Sequence, residues 1–427
     1  MQSYLYVILI SYISVTVCRY LLDYLNLSYL KKYGSIIPQE FEGQTDRDLL
    51  IRTRDYSIEN IRFGFVSSLF NNAVILIFLF GGILDLYNSW IVSLNLPFIL
   101  SGLVFFLILL YAESLLSIPF SLYNTFRIEK KYGFNTMTPG LWITDGIKSL
   151  LISTVLMGVL IVIGLYIVQQ SPGLWWLWIW CFFLAFSIFM MYLSPYVIEP
   201  LFHKFTPVAD ETLESGIRDL LHKAGIRVSR VFQMDASKRT KHTNAYFTGI
   251  GKVKRIILFD TLIEKMDRDE ILSVLSHEAG HWKRRHILKQ LFLLECIALV
   301  VMYMAFRILQ GDHLLNLFDI RNGTFFARIV ILSFIGSIVS FPFSPLLLYL
   351  SRRYEKEADR FSCELTRSTD GMIHALVKLS KDNLSNLHPH PLYVVFHYSH
   401  PPVLERIRII AGLKILTKGR QCRKNIR

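Results

Sequence analysis

The residues best suited to do chemistry lie between Ser276 and His286, in the run Ser-His-Glu-Ala-Gly-His-Trp-Lys-Arg-Arg-His. This run contains the pattern His-Glu-x-x-His, formed by His277, Glu278 and His281. Residues four apart share one face of a helix, so both imidazoles can bind the same metal ion. Glu278 could then act as general base for a metal-activated water. Zinc suits this set, because two imidazoles, a carboxylate and an open position make a typical catalytic zinc site.

The pentapeptide also arises by chance, so the prediction depends on a third ligand elsewhere. Glu355 and Asp359 stand four residues apart in Glu-Lys-Glu-Ala-Asp, which places both on one helix face. One carboxylate can bind the metal while the other orients a histidine ligand. We predict Glu355 as the ligand and Asp359 as the orienting carboxylate; the alternative is that these charges only solvate a helix. Glu357 faces the other way and is predicted to pair with Arg353.

The elements that must position these residues include membrane spans. Of the 427 residues 52% are hydrophobic, and the mean hydropathy is +0.39, which is typical of membrane proteins. Seven apolar stretches are long enough, or nearly so, to cross a bilayer. They are Leu5–Leu25, Phe63–Leu84, Phe98–Tyr123, Ile147–Val168, Leu174–Val197, Ile287–Leu309 and Ile329–Leu350. The first lacks a basic start and a small-residue cleavage site, which favours a retained span over a signal peptide.

The loops between the spans alternate in charge. Lysine and arginine are abundant in residues 26–62, 198–286 and 351–427, whereas residues 85–97 and 169–173 carry none. The positive-inside rule then places the N-terminus in the lumen and the C-terminal tail in the cytosol. Seven spans require termini on opposite sides, so the number of spans and the charge pattern agree. The His-Glu-x-x-His run is therefore predicted on the cytosolic side, directly before the sixth span.

Two other kinds of protein are disfavoured by composition. The five cysteines are scattered and contain no Cys-x-x-Cys, so neither a disulfide framework nor a cysteine zinc site is indicated. The formal charge of +13 could suggest nucleic-acid binding, but the basic residues follow membrane topology instead of forming one binding surface. We therefore predict a lipid bilayer as a partner, and no nucleic acid.

The segment 198–286 shows the order expected of a small α+β domain. Asp210 to Ala224 is predicted as a helix that ends before Gly225. Three short strands are predicted next, at Val228–Met234, Asn244–Thr248 and Arg255–Phe259. Asp267 and Glu270 then form a capping-box pattern at the start of the metal-binding helix. An edge strand beside this helix could hold an extended substrate.

Several longer motifs occur in an order that resembles one known family. They are Ile128–Asn135, Glu199–Pro207, Thr243–Phe247, Leu258–Leu262, His277–His281, Glu355–Asp359 and His397–Arg406. The chain is similar over nearly its whole length to the type I CAAX prenyl endopeptidases. These are integral-membrane zinc metalloproteases of the endoplasmic reticulum and inner nuclear membrane. Lys356 and Glu357 depart from the family pattern, where an aromatic residue and a glutamine are expected.

The resemblance implies roles for particular residues. Glu355 matches the third zinc ligand and Asp359 the residue behind it, while Asn244 lies on the strand that would bind substrate. His400 and Arg406 match a histidine and an arginine that reach toward the active site. His400 could stabilise the oxyanion, although it could also be only the residue before a helix start. Arg406 could hold a carboxylate, either of the protein or of the substrate terminus.

Two further histidines, His286 and His397, are predicted to pack at interfaces and to take no part in binding the metal. The resemblance therefore implies one Zn²⁺ per chain, bound by His277, His281 and Glu355. Glu278, His400 and Arg406 complete the predicted catalytic set.

Together these features predict an α-helical multispan membrane protein with a cytosolic α+β zinc metalloprotease domain. That domain is built from the loop after the fifth span and from the C-terminal region, and the resemblance implies that the seven transmembrane helices enclose a chamber. The predicted boundaries assign residues 1–197 to spans 1–5 and 198–286 to the first protease part. Residues 287–350 hold spans 6 and 7, and 351–427 the second protease part.

The predicted function is removal of the C-terminal aaX residues from prenylated CAAX proteins, by a monomer in the endoplasmic reticulum or inner nuclear membrane. One alternative is a membrane-protein quality-control metalloprotease of broader specificity. Another is an inactive multispan transporter or scaffold whose His-Glu-x-x-His is accidental.

Overall fold

The computed structural model describes residues 2–248, 253–311 and 313–424, which are mostly helical. The first helices are α1 (Gln2–Tyr33), α2 (Arg47–Phe80), α3 (Ile83–Ser93), α4 (Phe98–Tyr123), α5 (Pro139–Gln170), α6 (Trp175–Leu193) and α7 (Glu199–Phe202). Next come α8 (Glu211–Lys223), α9 (Asp260–Lys265), α10 (Arg268–Lys283), α11 (His286–Leu309) and α12 (His313–Leu317). The last are α13 (Phe325–Ser340), α14 (Ser344–Thr366), α15 (Asp370–Asp382), α16 (Pro391–His397) and α17 (Val403–Lys424). The strands are β1 (Phe205–Pro207), β2 (Arg227–Met234), β3 (Ala245–Thr248) and β4 (Val253–Phe259).

Within these ranges, seven helical segments are long and apolar enough to cross a membrane, which confirms the predicted number of spans. They are Tyr4–Tyr33, Arg47–Phe80, Phe98–Glu129, Pro139–Gln170, Trp175–Phe202, His286–Leu309 and Phe325–Thr366. Most extend beyond the apolar stretches, because backbone hydrogen bonds continue a helix into polar sequence. The domain boundaries after residues 197, 286 and 350 stay predictions.

Three membrane helices, α4, α5 and α13, pack closely around Gly102 of α4. A Cβ atom added there would lie 2.2 Å from Leu165 Cδ1 on α5 and 2.6 Å from Phe326 Cε1 on α13. A side chain at residue 102 would therefore force Leu165 and Phe326 to move. Phe105, about one turn further along α4, is fully buried, and its ring centroid lies 5.6 Å from that of Phe326. Small residues at such crossings are typical of helix packing in membranes.

The seventh span is not one continuous helix. Phe341–Phe343 form a single 3₁₀ turn that contains Pro342 and separates α13 from α14. Proline lacks the N–H that would continue the α-helical bonding, which explains a break at this point. Beyond it, α14 carries Glu355 and Asp359 to the soluble part of the molecule.

A four-stranded sheet with the order β1-β2-β4-β3 forms the strand-containing part of the protease. β2 and β4 are parallel, while β1 and β3 pair antiparallel with them at the two edges. The three predicted strands are therefore confirmed, with ends that shift by one or two residues. β1 was not predicted from the sequence.

The sheet and the surrounding helices bury a common apolar core. On α8, Leu213, Ile217 and Leu221 are buried at a spacing of four residues, which places them on one face. They pack with buried residues of β4, such as Ile256, and of α10, such as Leu275. Each such side chain contributes roughly 1.5–3 kcal/mol on full burial. This core fixes α10, the helix with the His-Glu-x-x-His pattern, against the sheet.

Candidate active site

α10 begins with the predicted capping box. Asp267 accepts a hydrogen bond from the Glu270 N–H at 2.9 Å, and Glu270 accepts one from the Asp267 N–H at 3.0 Å. These bonds satisfy two of the donors that a helix start leaves free. The first turn of α10 is thereby fixed, and the two histidines follow from it at helical spacing.

α10 crosses α14 at Gly280, inside the metal-binding pattern. A Cβ atom at residue 280 would lie 3.0 Å from Ala358 Cα and 3.2 Å from Phe361 Cβ. Contacts this short would push the two helices apart. The glycine therefore allows the helix with the histidines to touch the backbone of the helix with Glu355.

His277, His281 and Glu355 converge at this crossing, with one potential ligand atom from each within 4.8 Å of the others. His281 Nε2 lies 3.1 Å from Glu355 Oε1, and His277 Nε2 lies 3.3 Å from Glu355 Oε2. The two Nε2 atoms are 3.2 Å apart. Ligands about 2.0–2.1 Å from a tetrahedral zinc would lie about 3.3 Å from one another. Glu355 Oε2 is buried and accepts no hydrogen bond within the described ranges, so the three residues fit a metal ion.

Asp359 lies directly behind His277. Its Oδ1 is 2.8 Å from His277 Nδ1, which leaves Nε2 facing the other ligands. Arg406 donates from Nε to Asp359 Oδ2 at 2.9 Å and from Nη2 to Oδ1 at 2.6 Å. The sequence suggested that Arg406 could hold either a carboxylate of the protein or that of the substrate terminus. In the structure Arg406 holds a protein carboxylate, that of Asp359. Asp359 is 2% exposed, and Arg406 balances its buried charge.

A second polar chain lies behind His281, where the sequence gave no indication of one. His281 Nδ1 is 3.2 Å from His286 Nδ1, and His286 Nε2 is 3.3 Å from Glu357 Oε2. Glu357 also forms the predicted ion pair with Arg353, at 3.2 Å. His286 stands five residues after His281, a spacing that would separate them on one continuous helix. Arg285, with φ of 55°, breaks the helix between them and turns His286 back, a break that helical periodicity does not reveal.

A cavity of about 680 Å³ opens onto the cluster. It is lined in part by Asn244, Glu278, His400 and Arg406, together with His277 and Glu355. Asn244 precedes β3 and accepts a hydrogen bond from the Ala245 N–H. The His400 side chain is 61% exposed, and its Nε2 lies 3.3 Å from Glu355 Oε1. The structure thus brings together every residue that the sequence assigned to the site.

Burial raises the pKa of the Glu278 carboxyl above its usual value. The nearby His277 and His281 act in the opposite direction, but the effect of burial is larger. A general base works best when its pKa lies near the working pH. The shift therefore moves Glu278 toward the range in which it can both take up and return a proton.

Comparisons with known proteins agree with this geometry. Residues 26–204 match the family described as "CAAX prenyl protease N-terminal, five membrane helices", and residues 207–414 match "Peptidase family M48". The CAAX prenyl protease 1 homolog of Arabidopsis thaliana is 32% identical, over 88% of this chain and 90% of the relative. The chain belongs to the CAAX prenyl protease family of M48 peptidases.

Further M48 relatives support this assignment. CAAX prenyl protease 1 of Saccharomyces cerevisiae is 31% identical over 89% of both chains. The crystal structure of S. mikatae Ste24p matches with a TM-score of 0.87 and 30% identity, over 94% of this chain and 96% of that one. The predicted multispan fold and the predicted enzyme class, a membrane metalloendopeptidase, are confirmed. Membership in the M48 family also implies a metal, for which His277, His281 and Glu355 are suited.

Proposed function

We propose that this M48 peptidase removes the three C-terminal aaX residues of prenylated CAAX proteins, cutting after the prenylated cysteine. The names of its relatives support this substrate, because they are CAAX prenyl proteases. A membrane enzyme suits a lipidated substrate, since the prenyl chain can stay in an apolar environment during cleavage. The observation that carries the proposal is the convergence of His277, His281 and Glu355, beside a cavity that Glu278 also lines.

We assign one Zn²⁺ per chain to His277, His281 and Glu355. When bound, zinc supplies a Lewis acid that lowers the pKa of a water molecule to near neutral. Glu278 would accept a proton from the water that attacks the peptide carbonyl and would return a proton to the leaving amine. His400 donates a hydrogen bond from its exposed ring to the oxyanion that develops. Arg406 acts through Asp359, which orients His277.

The substrate would bind in extended form along β3, which is an edge strand of the sheet among the described residues. An extended peptide adds to such an edge through main-chain hydrogen bonds. Asn244 stands at the start of β3, and its Oδ1 already accepts from the Ala245 N–H. Its amide N–H₂ group is therefore the part that would donate to a substrate carbonyl.

The enzyme would act as a monomer in the endoplasmic reticulum membrane and in the inner nuclear membrane, with its active site toward the cytosol. The basic loops on one side of the spans support this orientation. The substrate partner would be a prenylated CAAX protein or peptide, and the bilayer would hold both molecules.

The test compares a farnesylated C-a-a-X peptide with the same peptide lacking the farnesyl group, using the purified full-length protein. We expect cleavage of the farnesylated peptide alone. Glu278→Gln should retain zinc and lose at least about 10²-fold in rate, because the general base is removed. Equal cleavage of both peptides would point to a quality-control protease of broader specificity.

Metal analysis provides the second part of the test. The wild-type protein should hold one zinc per chain, and His281→Ala should hold much less. A wild-type protein that held no zinc and cleaved neither peptide would be a scaffold or transporter. Normal cleavage by Glu278→Gln would instead show that the proposed mechanism is wrong.

A further inference from the structure

The mechanism proposed above makes no use of the polar chain behind His281. His286 is 1% exposed, and both of its ring nitrogens have polar neighbours. Nδ1 lies 3.2 Å from His281 Nδ1, and Nε2 lies 3.3 Å from Glu357 Oε2. Arg353 Nε lies 3.2 Å from the other oxygen of Glu357. The chain therefore runs from a proposed metal ligand to an arginine on α14.

The hydrogen-bond directions along this chain follow from the proposed ligation. If Nε2 of His281 binds a metal, the ring proton must reside on Nδ1. This Nδ1–H can donate only to an unprotonated Nδ1 of His286, whose own proton then resides on Nε2. Nε2–H donates to Glu357, which also accepts from Arg353. Each hydrogen bond from His281 to Glu357 then joins one donor to one acceptor, so no two N–H groups face each other.

We propose that His286 and Glu357 are positioning residues, which hold His281 in the tautomer and orientation that present Nε2 to the metal. They would do for His281 what Asp359 does for His277. Outer partners of this kind fix the ring of a metal-binding histidine. The inference rests on the proposed binding of zinc by His281, and it is independent of the identity of the peptide substrate.

The local structure around His286 is consistent with a fixed position. The ring stacks on Tyr354 with centroids 4.3 Å apart and planes within 12°. It begins α11, directly after Arg285 in the left-handed region, at φ of 55°. A non-glycine residue in that region is strained, so the surrounding contacts must hold it there. The strained turn places His286 behind His281.

The test measures zinc affinity by competition with a chelator, and ligand geometry from the visible absorption of the Co²⁺-substituted protein. His286→Phe keeps the ring and its stacking on Tyr354 but removes the acceptor, and it should weaken zinc binding about 10–100-fold and alter the Co²⁺ spectrum. His286→Asn places an oxygen near the position of Nδ1 and should stay within about threefold of the wild type. His374→Phe, at an exposed histidine of α15, is the matched control and should change neither readout.

Glu357 gives an independent pair of variants. Glu357→Gln keeps an acceptor for His286 and should retain the affinity, whereas Glu357→Leu should lose several-fold. Wild-type affinity and spectrum in a folded His286→Phe would overturn the inference. So would equal losses for His286→Asn and His286→Phe, or for Glu357→Gln and Glu357→Leu. A wild-type protein without zinc would instead refute the proposed function itself.

Discussion

At the scale of single residues, the site depends on the buried carboxylate of Asp359, which contacts both His277 and Arg406. Asp359 contacts His277 Nδ1 on one side and receives two hydrogen bonds from Arg406 on the other. A buried charge that loses its partner is left uncompensated. Arg406 is therefore important for stability as well as for orienting the site.

We expect Arg406→Ala to lower the free energy of unfolding by about 3–5 kcal/mol, because Asp359 would remain buried without its main counter-charge. Unfolding of the purified protein, followed in detergent, measures this change. Arg408→Ala on the same helix is the control. Its ion pair with Glu40 has a 66% exposed arginine, and its loss should cost less than about 1 kcal/mol. Similar losses for the two variants would contradict the buried pair.

The metal-free site should bind zinc in a pH-dependent way. Burial alone would lower the pKa of His277, but the adjacent carboxylates of Asp359 and Glu355 outweigh it and raise that pKa to about 9. Zinc must displace this proton, so zinc affinity should rise by up to about tenfold per pH unit as pH approaches 9. Chelator competition at several pH values between 6.5 and 9 checks this, and a flat profile would contradict it.

The stability of the metal-free protein should change in the opposite direction over the same range. An unfolded histidine titrates near about 6.5, whereas folded His277 holds its proton up to about 9. The stabilisation is therefore complete below about pH 6.5 and is lost as pH rises to about 9. The thermal midpoint of chelator-treated protein should fall across this window.

Residues of the site that belong to one helix could be predicted from sequence spacing. The pair His277 and His281, and the pair Glu355 and Asp359, each follow the four-residue period of a helix. His286 could not be assigned in this way, because its position depends on the break at Arg285. The contact of Arg406 with Asp359 likewise joins two helices that are distant in sequence.

At the scale of secondary-structure elements, the crossing of α10 and α14 sets the distance between the proposed metal ligands His277, His281 and Glu355. Gly280→Val should force the helices apart, since even a Cβ atom would lie 3.0 Å from Ala358 Cα. We expect a loss of about 1–3 kcal/mol in stability from overpacking, together with weaker zinc binding. Unfolding and chelator competition measure the two effects.

Gly412→Val on α17 is the matched control, because among the described residues no atom outside its own stretch of helix backbone lies within 4 Å of the position that its Cβ would take. It should change stability only slightly and leave zinc binding intact. Normal zinc affinity in a folded Gly280→Val would show that the ligands do not depend on this close approach.

Elements with strong local signals were predicted well. The capping box at Asp267 and the helix beginning after Asp210 are both present, because each uses side-chain bonds to nearby backbone N–H groups. β1 was not predicted because it has only three residues, Phe205–Pro207, and is defined by its pairing with β2. Such pairing between distant segments leaves little signal in a short stretch of sequence.

At the scale of the whole molecule, the membrane helices and the protease part are joined by a partly buried ion pair. Arg239 donates from Nε to Asp145 Oδ2 of α5 at 2.8 Å and from Nη2 to Oδ1 at 3.1 Å. The two side chains are only 14% and 12% exposed. Two parallel hydrogen bonds between Arg239 and Asp145 fix the relative orientation of the two side chains as well as their distance.

Asp145→Ala should destabilise the protein by more than the roughly 1 kcal/mol of an exposed pair and by at most about 3–5 kcal/mol, because the partly buried Arg239 would lose that carboxylate. The double variant Asp145→Ala/Arg239→Ala should be more stable than Asp145→Ala alone, since it removes the uncompensated charge. A double-mutant cycle of unfolding energies measures this coupling. Strictly additive losses would mean that the two side chains act independently.

The number of spans could be predicted because hydropathy alone determines it. The packing around Gly102 could not, because Leu165 and Phe326 approach it from helices far away in sequence. The enclosed chamber remains a prediction from the family resemblance.

The separation of the ligands along the chain has a consequence for biosynthesis. His281 and Glu355 are 74 residues apart (355 − 281 = 74), and the sixth and seventh spans lie between them. Both spans must therefore be synthesised before the proposed third ligand exists, so the metal site cannot form on a nascent chain that ends before Glu355. A metal held at both ends would also close this long loop, and by analogy with a covalent cross-link it would remove about 4 kcal/mol of chain entropy from the unfolded state. Withdrawal of the metal should then loosen the last two spans as well as stop catalysis.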